Sequence, residues 1–591
     1  MPKASAAAAV LDILDREGVR YVFGVPGGPV LALCDLLADH PRVQFVLTRH
    51  EQAAAYAACA YALATGELGV CLATLGPGAT NLLAGLPVAL VESTPVLALT
   101  GQVQTNAYGR GAHQESTGWF GTPDQEKMFA AGCKQSATVI DASRAPDMMR
   151  HAIRIARAPR PGPTHLAFPA NILHQRIDYT PLEPARYRLI VDRAVDASAV
   201  RRIAQRIREA RAPALLMGAR SRWPDCGPAA EALAQRHGLA LATDLSCKSV
   251  VDEHADAFLG CLGVLGHKAA ENFIKQEADL LITVGQTFDE MSTLSWDPAL
   301  ASGKDLVQLD VCASEIGKAY PAADAAVGQL AVLLEDICAQ LDMAAPAPLA
   351  VRERRARIAG ARSRWPLFQA ADMSVDKAPL PPPRIVADLQ AALPDDALIL
   401  LDSSKWARWI GRYLQARRGQ VICAHDYEPM GWAVAGAVGV KCAHPDRPVI
   451  CVCGDGAFMM AAMEMSTAVN VGRDIIWMVM NDSRLGIIYD LQKGLYGGRV
   501  SGATFTNPDL PALAKAFGAY GETVSTAGGL TDSLTRALSR GGSCLLDVRF
   551  DPDDVPPVRP RSLLITKSMG LPDPTPGPET TRALIKLLKD K

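Results

Sequence analysis

An apolar run that ends in a glycine–aspartate–glycine turn leaves a chain few folds to choose from. Residues 449–486 hold one, in VICVCGDGAFMMAAMEMSTAVNVGRDIIWMVMNDSRLG. Residues 449–453 are all apolar, the pattern of a strand buried on both faces of a parallel sheet. The turn Gly454-Asp455-Gly456 follows, then a helical stretch over about 457–471. A second apolar run, 475–480, closes on Asn481-Asp482. Two such strands joined by a helix make a βαβ unit. Its carboxylate and amide groups fall at the carboxyl ends of neighbouring strands, where open parallel sheets bind ligands.

The turn suits an anion held through a metal. Glycines let the backbone approach phosphate closely, and the helix behind them offers free N–H groups. Asp455 and, 27 residues further on, Asp482 are hard oxygen donors of the kind Mg²⁺ takes, a cation that needs few protein ligands. A GDG tripeptide alone is most often an ordinary turn. The whole unit, with its second acidic strand end, points instead to a diphosphate and Mg²⁺.

A chain of 591 residues is too long for one core and implies roughly three to four domains. Apolar residues at 49% and charged residues at 21% are the balance of a soluble globular protein. The net charge of −2 gives no reason to expect nucleic acid or an anionic membrane as partner. Fourteen cysteines lack metal-type spacing, and Cys451 and Cys453 lie on the core strand, so buried thiols are expected. Asp12, Asp15, Arg16 and Glu17 interrupt the alanine-rich start. No apolar run is long enough for a transmembrane helix, and a cytoplasmic, reducing location is the default.

The first third alternates apolar runs at 21–25, 43–47, 70–74 and 96–100 with helical stretches at 4–17, 31–38 and up to about 64. Repeated βα units of this kind make an open, doubly wound α/β sheet. Glu51 stands where one strand gives way to the apolar segment 53–64. A carboxyl among alanines is poorly solvated and suited to sharing a proton with a nitrogen heterocycle. The plainer alternative is a glutamate favoured by the helix dipole.

VFGVPGG, RHEQAAAYAA, TLGPGATNL and LTGQV occur in that order ahead of the GDG unit. Together they make the chain resemble the acetolactate synthase-like thiamine-diphosphate enzymes, the pyruvate decarboxylase and oxidase type. The resemblance implies three doubly wound parallel-sheet α/β domains. They are a pyrimidine-binding domain at 1–183, a central Rossmann-like domain at 184–345, and a diphosphate- and Mg²⁺-binding domain at 384–591. A Pro-rich linker at 346–383 joins the last two, its basic run 352–362 expected to be a solvated helix face. The Pro-rich tail after Asp551 would be a lid or a solvated extension.

On the same resemblance the cofactors are thiamine diphosphate and Mg²⁺. Glu51 matches the glutamate that bonds the aminopyrimidine N1′, with Thr74, Gly76 and Asn81 in the same cradle. Gln114 matches a glutamine facing substrate. His113 stands where an aromatic is usual, and either passes protons or is a plain loop histidine. Ser403, Ser404 and Lys405 would lie near the diphosphate, although either serine could simply cap a helix. Met430 would prop the cofactor in its bent form. Gly454, Asp455, Gly456, Ala457, Asp482, Leu485, Gly486 and Ile487 would complete the site. The metal ligands would be Asp455, Asp482 and the backbone carbonyl of Arg484. The chain departs from the motif in having Asp482 where the family has asparagine. Some members hold FAD in the central domain. No intact GxGxxG stands here, so FAD is possible but not indicated, and a structural spacer is expected.

The implied chemistry is ylid attack on a 2-oxo acid, loss of CO₂, and transfer of the carbanion-enamine to an acceptor. That describes a carboligase. A 2-oxo acid decarboxylase or non-decarboxylating C–C lyase is the alternative, and a flavin-linked oxidase a further one. Leu491 stands about where acetolactate synthases carry tryptophan, which leaves donor and acceptor open. Half-sites on separate domains imply a homodimer or homotetramer with active sites between subunits, and no nucleic acid or membrane partner.

Overall fold

Runs of β-branched and leucine side chains bounded by glycine turns produce three six-stranded sheets, each parallel throughout. The computed structural model describes residues 3–189, 195–223, 225–344 and 346–556. Most of the Pro-rich tail, from 557 onward, lies outside them. In the first sheet the spatial order is Gln44–Leu47, Tyr21–Gly24, Gly69–Ala73, Val96–Gln102, Pro163–Pro169, Gln135–Thr138. The chain winds outward from Tyr21–Gly24, then returns past it to Gly69–Ala73. The loops after these two strands therefore diverge and leave a crevice.

The middle sheet repeats the pattern, with its switch between Pro213–Met217 and Leu280–Val284. The last sheet runs Val421–Cys423, Leu398–Leu401, Val449–Gly454, Ile475–Asn481, Cys544–Arg549, Tyr520–Val524. Its switch lies between Leu398–Leu401 and Val449–Gly454. That topology sets the 402–405 loop beside the GDG turn, although some fifty residues separate them. Among the described residues no helix is long and apolar enough to cross a membrane.

The first and last domains meet through two small-residue helices. Glu51–Thr65, EQAAAYAACAYALAT, crosses Trp432–Ala443, WAVAGAVGVKCA. Both are almost wholly buried in one shared core. A Cβ at Gly439 would sit 2.0 Å from the Ala57 carbonyl oxygen, and one at Gly436 2.9 Å from Ala60 Cβ. Only glycine permits so close a crossing.

Two expectations need correction. The stretch at 457–471 is two helices, Asp455–Ala461 and Glu464–Asn470. The break turns the Glu464 carboxylate inward, where it accepts from the Arg49 backbone N–H at 3.0 Å and the Thr467 hydroxyl at 2.7 Å. The linker carries the helix Pro348–Arg364, and its basic run is not wholly solvated. Arg354 is 2% exposed, because its guanidinium donates to the carbonyls of Ile207, Ala210 and His237. A planar five-donor group can be buried when enough carbonyls face it.

Candidate active site

The crevice of the first sheet collects one group of side chains. Glu51 is the first residue of its helix, and its Oε2 accepts from Asn81 Nδ2 at 3.0 Å. Asn81 comes from the helix Pro77–Leu83, which starts at the end of the next strand. A Cβ at Gly78 would stand 2.7 Å from Thr74 Cγ2 and 2.9 Å from Glu51 Oε1, so glycine there keeps the floor of the crevice open. Gly76, at φ +56°, supports the Gln114 segment: a Cβ would lie 2.8 Å from the Gln114 carbonyl oxygen. Glu51, Thr74, Gly76, Asn81 and Gln114 are thus neighbours, and His113 stands exposed beside Gln114.

Glu115, which carries no motif in the sequence, shapes that loop. The buried Glu115 carboxylate accepts from the Thr117 hydroxyl at 2.6 Å and from the backbone N–H groups of Gly109, Gly111 and Ala112. These donors, the hydroxyl foremost, hold its pKa below the ordinary glutamate value.

The crevice of the last sheet collects the second group. Asp455 opens its helix and accepts from the backbone N–H groups of Ser483 at 2.6 Å and Gly456 at 2.9 Å. Asp482, half-buried, is close enough to feel the Asp455 charge. Desolvation first, and then the Asp455 charge, push its pKa up to about 7. A buried carboxylate and a half-buried one that repel each other are an arrangement a hard divalent cation would relieve, and an all-oxygen donor set suits Mg²⁺.

Lys405, 5% exposed, pairs with Asp490 at 2.8 Å and donates to the Pro552 carbonyl at 3.2 Å. A Cβ at Gly486 would meet Lys405 Cε at 3.0 Å and Asp482 Oδ2 at 3.4 Å, so the lysine and the aspartate share one wall. A Cβ at Gly456 would lie 2.8 Å from Leu485 Cδ2, and 3.5 Å from both Met430 Cε and Phe505 Cζ. Those three apolar ends form a ledge beside the GDG turn, with Ala457 buried behind it and Ile487 in the helix Gly486–Leu495.

Ser404 serves its helix: its hydroxyl oxygen accepts from the Trp406 backbone N–H at 3.2 Å. Ser403, partly exposed, precedes it in the same loop. The Arg484 side chain turns away to Asp553 at 3.2 Å.

Asp402 and Asn507 were not singled out from the sequence. Asp402 accepts from the backbone N–H groups of Gly431 at 3.0 Å and Ala433 at 2.8 Å, tying its loop to Met430. Burial raises its pKa to about 7. An acid at the end of a parallel strand was the available signal. Asn507 donates from Nδ2 to Asp455 Oδ2 at 2.6 Å and to Asn481 Oδ1 at 3.0 Å. Its stretch, Asn507-Pro508-Asp509, reads as a turn and nothing more.

Three family models match the chain in order. They describe the thiamine pyrophosphate enzyme N-terminal TPP binding domain at residues 4–128, the central domain at 200–337 and the C-terminal TPP binding domain at 402–548. The acetolactate synthase of Arthrospira platensis is 32% identical over 575 residues, covering 94% of this chain and 96% of its own length. The chain belongs to the thiamine pyrophosphate enzymes. A probable acetolactate synthase large subunit of Methanococcus aeolicus is 30% identical, covering 94% of each chain. The acetolactate synthase isozyme 2 large subunit of Escherichia coli K12 is 32% identical, covering 93% of this chain and 96% of its own. The first group of side chains falls inside the N-terminal thiamine pyrophosphate model, and the GDG group inside the C-terminal one.

The central sheet's crevice is a cavity of about 630 Å³ bordered by Arg160, Arg220, Asp289 and Lys318. Its cations already face acids: Arg220 meets Asp310 at 2.6 Å, and Lys318 and Arg160 meet Glu315 at 2.6 and 3.3 Å. Nothing here calls for FAD.

Proposed function

We propose that this thiamine pyrophosphate enzyme is an Mg²⁺-dependent carboligase that decarboxylates a 2-oxo acid, pyruvate or a close relative, and joins the remaining unit to a second carbonyl compound. The carrying observation is that two groups of side chains occupy separate sheet crevices. Among the described residues no hydrogen bond or ion pair joins Glu51, Thr74, Asn81 or Gln114 to the Asp455 group. A site built from both is best made between two copies, so the working unit is a homodimer or a homotetramer. The acetolactate synthase relatives support the reaction class.

When bound, the cofactor supplies the electron sink for decarboxylation. The protein's residues do the rest. Glu51, with one oxygen held by Asn81, exchanges a proton with the pyrimidine ring nitrogen. Asp455, Asp482 and the Arg484 carbonyl would hold Mg²⁺, and Lys405 would offset the charge that Asp482 adds. Met430, Leu485 and Phe505, the apolar ledge beside Gly456, would exclude water and support the bound cofactor. Gln114 and His113 offer hydrogen bonds to the substrate's carboxylate and carbonyl oxygens.

The test is CO₂ release from a panel of 2-oxo acids with thiamine diphosphate and Mg²⁺, products being identified by mass in the same tubes. Release with a condensed product is expected. Free aldehyde as the sole product would make the protein a decarboxylase, and silence across the panel would overturn the decarboxylating reading.

The pH dependence follows from Asp482. A cation takes its ionised form, whereas burial and Asp455 keep it largely protonated below pH of about 7. Mn²⁺ affinity should therefore climb with pH, by up to about tenfold per unit below that point, and level off above it. Mn²⁺ titrations at three pH values check this, and a flat profile from acid to neutral would remove Asp482 from the ligand set.

A further inference from the structure

We infer that Asn507 is a third side chain of the cation centre, its nitrogen holding Asp455 in place and its amide oxygen accepting from a water bound to the cation. The inference rests on the Mg²⁺ reading above and concerns a residue that lies outside the GDG unit.

The amide's orientation is fixed by a relay. Asp547, 0% exposed, is acceptor-only as a carboxylate and takes the Asn481 Nδ2 hydrogen bond at 2.7 Å. Asn481 must then present its Oδ1 to the other side, where Asn507 Nδ2 donates at 3.0 Å. The same Nδ2 donates to Asp455 Oδ2 at 2.6 Å. The two nearest partners, Asp455 Oδ2 and Asn481 Oδ1, are acceptors, and the Ser483 hydroxyl oxygen at 3.4 Å accepts as well, so the nitrogen faces them and the oxygen cannot be exchanged for it. That oxygen, Oδ1, is buried and meets no donor among the described residues.

A buried amide oxygen without a donor is costly, and native structures seldom leave one so. Its place explains what the donor is. The stretch carrying Asn507 is drawn across the site by backbone pairing, with the Leu485 N–H donating to Ala503 at 2.9 Å and the Phe505 N–H to Ser483 at 3.1 Å. Asn507 consequently lies against Asp455 itself. Mg²⁺ keeps several waters when it is bound through few carboxylates. Each such water has hydrogens to give, and Asn507 Oδ1 is the acceptor the protein provides. Outer groups of this kind orient the ligands and tune affinity.

The experiment measures Mn²⁺ affinity by electron paramagnetic resonance in the full-length protein with thiamine diphosphate, alongside the thermal midpoint without cation. Asn507→Ala should weaken Mn²⁺ binding by about 10–100-fold and leave the cation-free midpoint near that of the wild type. Asn507→Asp keeps an oxygen acceptor toward the waters but loses the donor to Asp455, so its affinity should fall between the two. Unchanged Mn²⁺ affinity in Asn507→Ala would overturn the inference. So would affinity in Asn507→Asp as poor as in Asn507→Ala, and, should the alanine variant fail to fold, a loss in Asn507→Asp beyond about 100-fold would do the same. Wild-type protein that takes up no Mn²⁺ beside the cofactor would instead sink the Mg²⁺ reading itself, a separate failure seen before any variant is compared.

Discussion

Glu51→Gln should lower turnover by about 10²–10⁴-fold, the range for losing a positioned proton-exchanging group, while the protein continues to fold and to bind thiamine diphosphate. Glutamine has the shape of glutamate, and its side-chain oxygen can still accept from Asn81, as Glu51 Oε2 does at 3.0 Å. It also keeps clear of Gly78, whose missing Cβ leaves room beside Glu51 Oε1. What the substitution removes is an oxygen able to take and return a proton. Steady-state CO₂ release, with cofactor binding followed separately by tryptophan fluorescence, distinguishes the two effects. A variant that turns over like the wild type would show that Glu51 exchanges no proton in the reaction. One that fails to bind cofactor would give Glu51 a binding role instead.

Glu51 is legible in the sequence because its surroundings are local. A strand, a short loop and an alanine helix follow one another within a few residues, and strand-end placement comes from the period of the apolar pattern. The GDG unit is legible for the same reason, since one crossover helix brings Asp455 and Asp482 to neighbouring strands paired in register from Val449 opposite Ile475. The break at 462–463 is not, because it exists to bury Glu464 against the Arg49 backbone, more than four hundred residues away in sequence. Arg354 misleads for a similar reason. Within its own helix it belongs to a basic run, and only the four carbonyls that the central domain aims at it, those of Ile207, Arg208, Ala210 and His237, offset the cost of burial. Asn507 shows the limit most plainly. An asparagine ahead of a proline reads as a turn, and its meaning comes from a relay through Asn481 and Asp547 set by strand order in the last sheet.

The second large effect is expected at a residue with no chemistry of its own. Gly439→Val should destabilise the fold by about 3 kcal/mol or more, at or beyond the upper end of ordinary overpacking, and leave little soluble protein. The reason is what its Cβ would strike: the Ala57 carbonyl oxygen at 2.0 Å, its carbon at 2.8 Å and Ala57 Cα at 3.0 Å. These are backbone atoms of a buried helix, and no rotamer change moves them. Gly360→Ala supplies the contrast, since a Cβ there meets nothing within 4 Å and removes the entropy cost of a helical glycine. It should melt at or slightly above the wild-type temperature. Thermal unfolding of both variants checks the pair, and a Gly439→Val protein as stable as Gly360→Ala would mean that the two helices do not cross as described. The milder Gly439→Ala carries the argument to function. The helix it would push begins at Glu51, so any fraction that still folds must shift that helix relative to Trp432–Ala443, whose leading residues Gly431 and Ala433 are held by Asp402 beside Met430. Activity per folded molecule should then fall further than the loss of stability alone requires, because one small-residue crossing sets both how the two domains pack and where Glu51 stands.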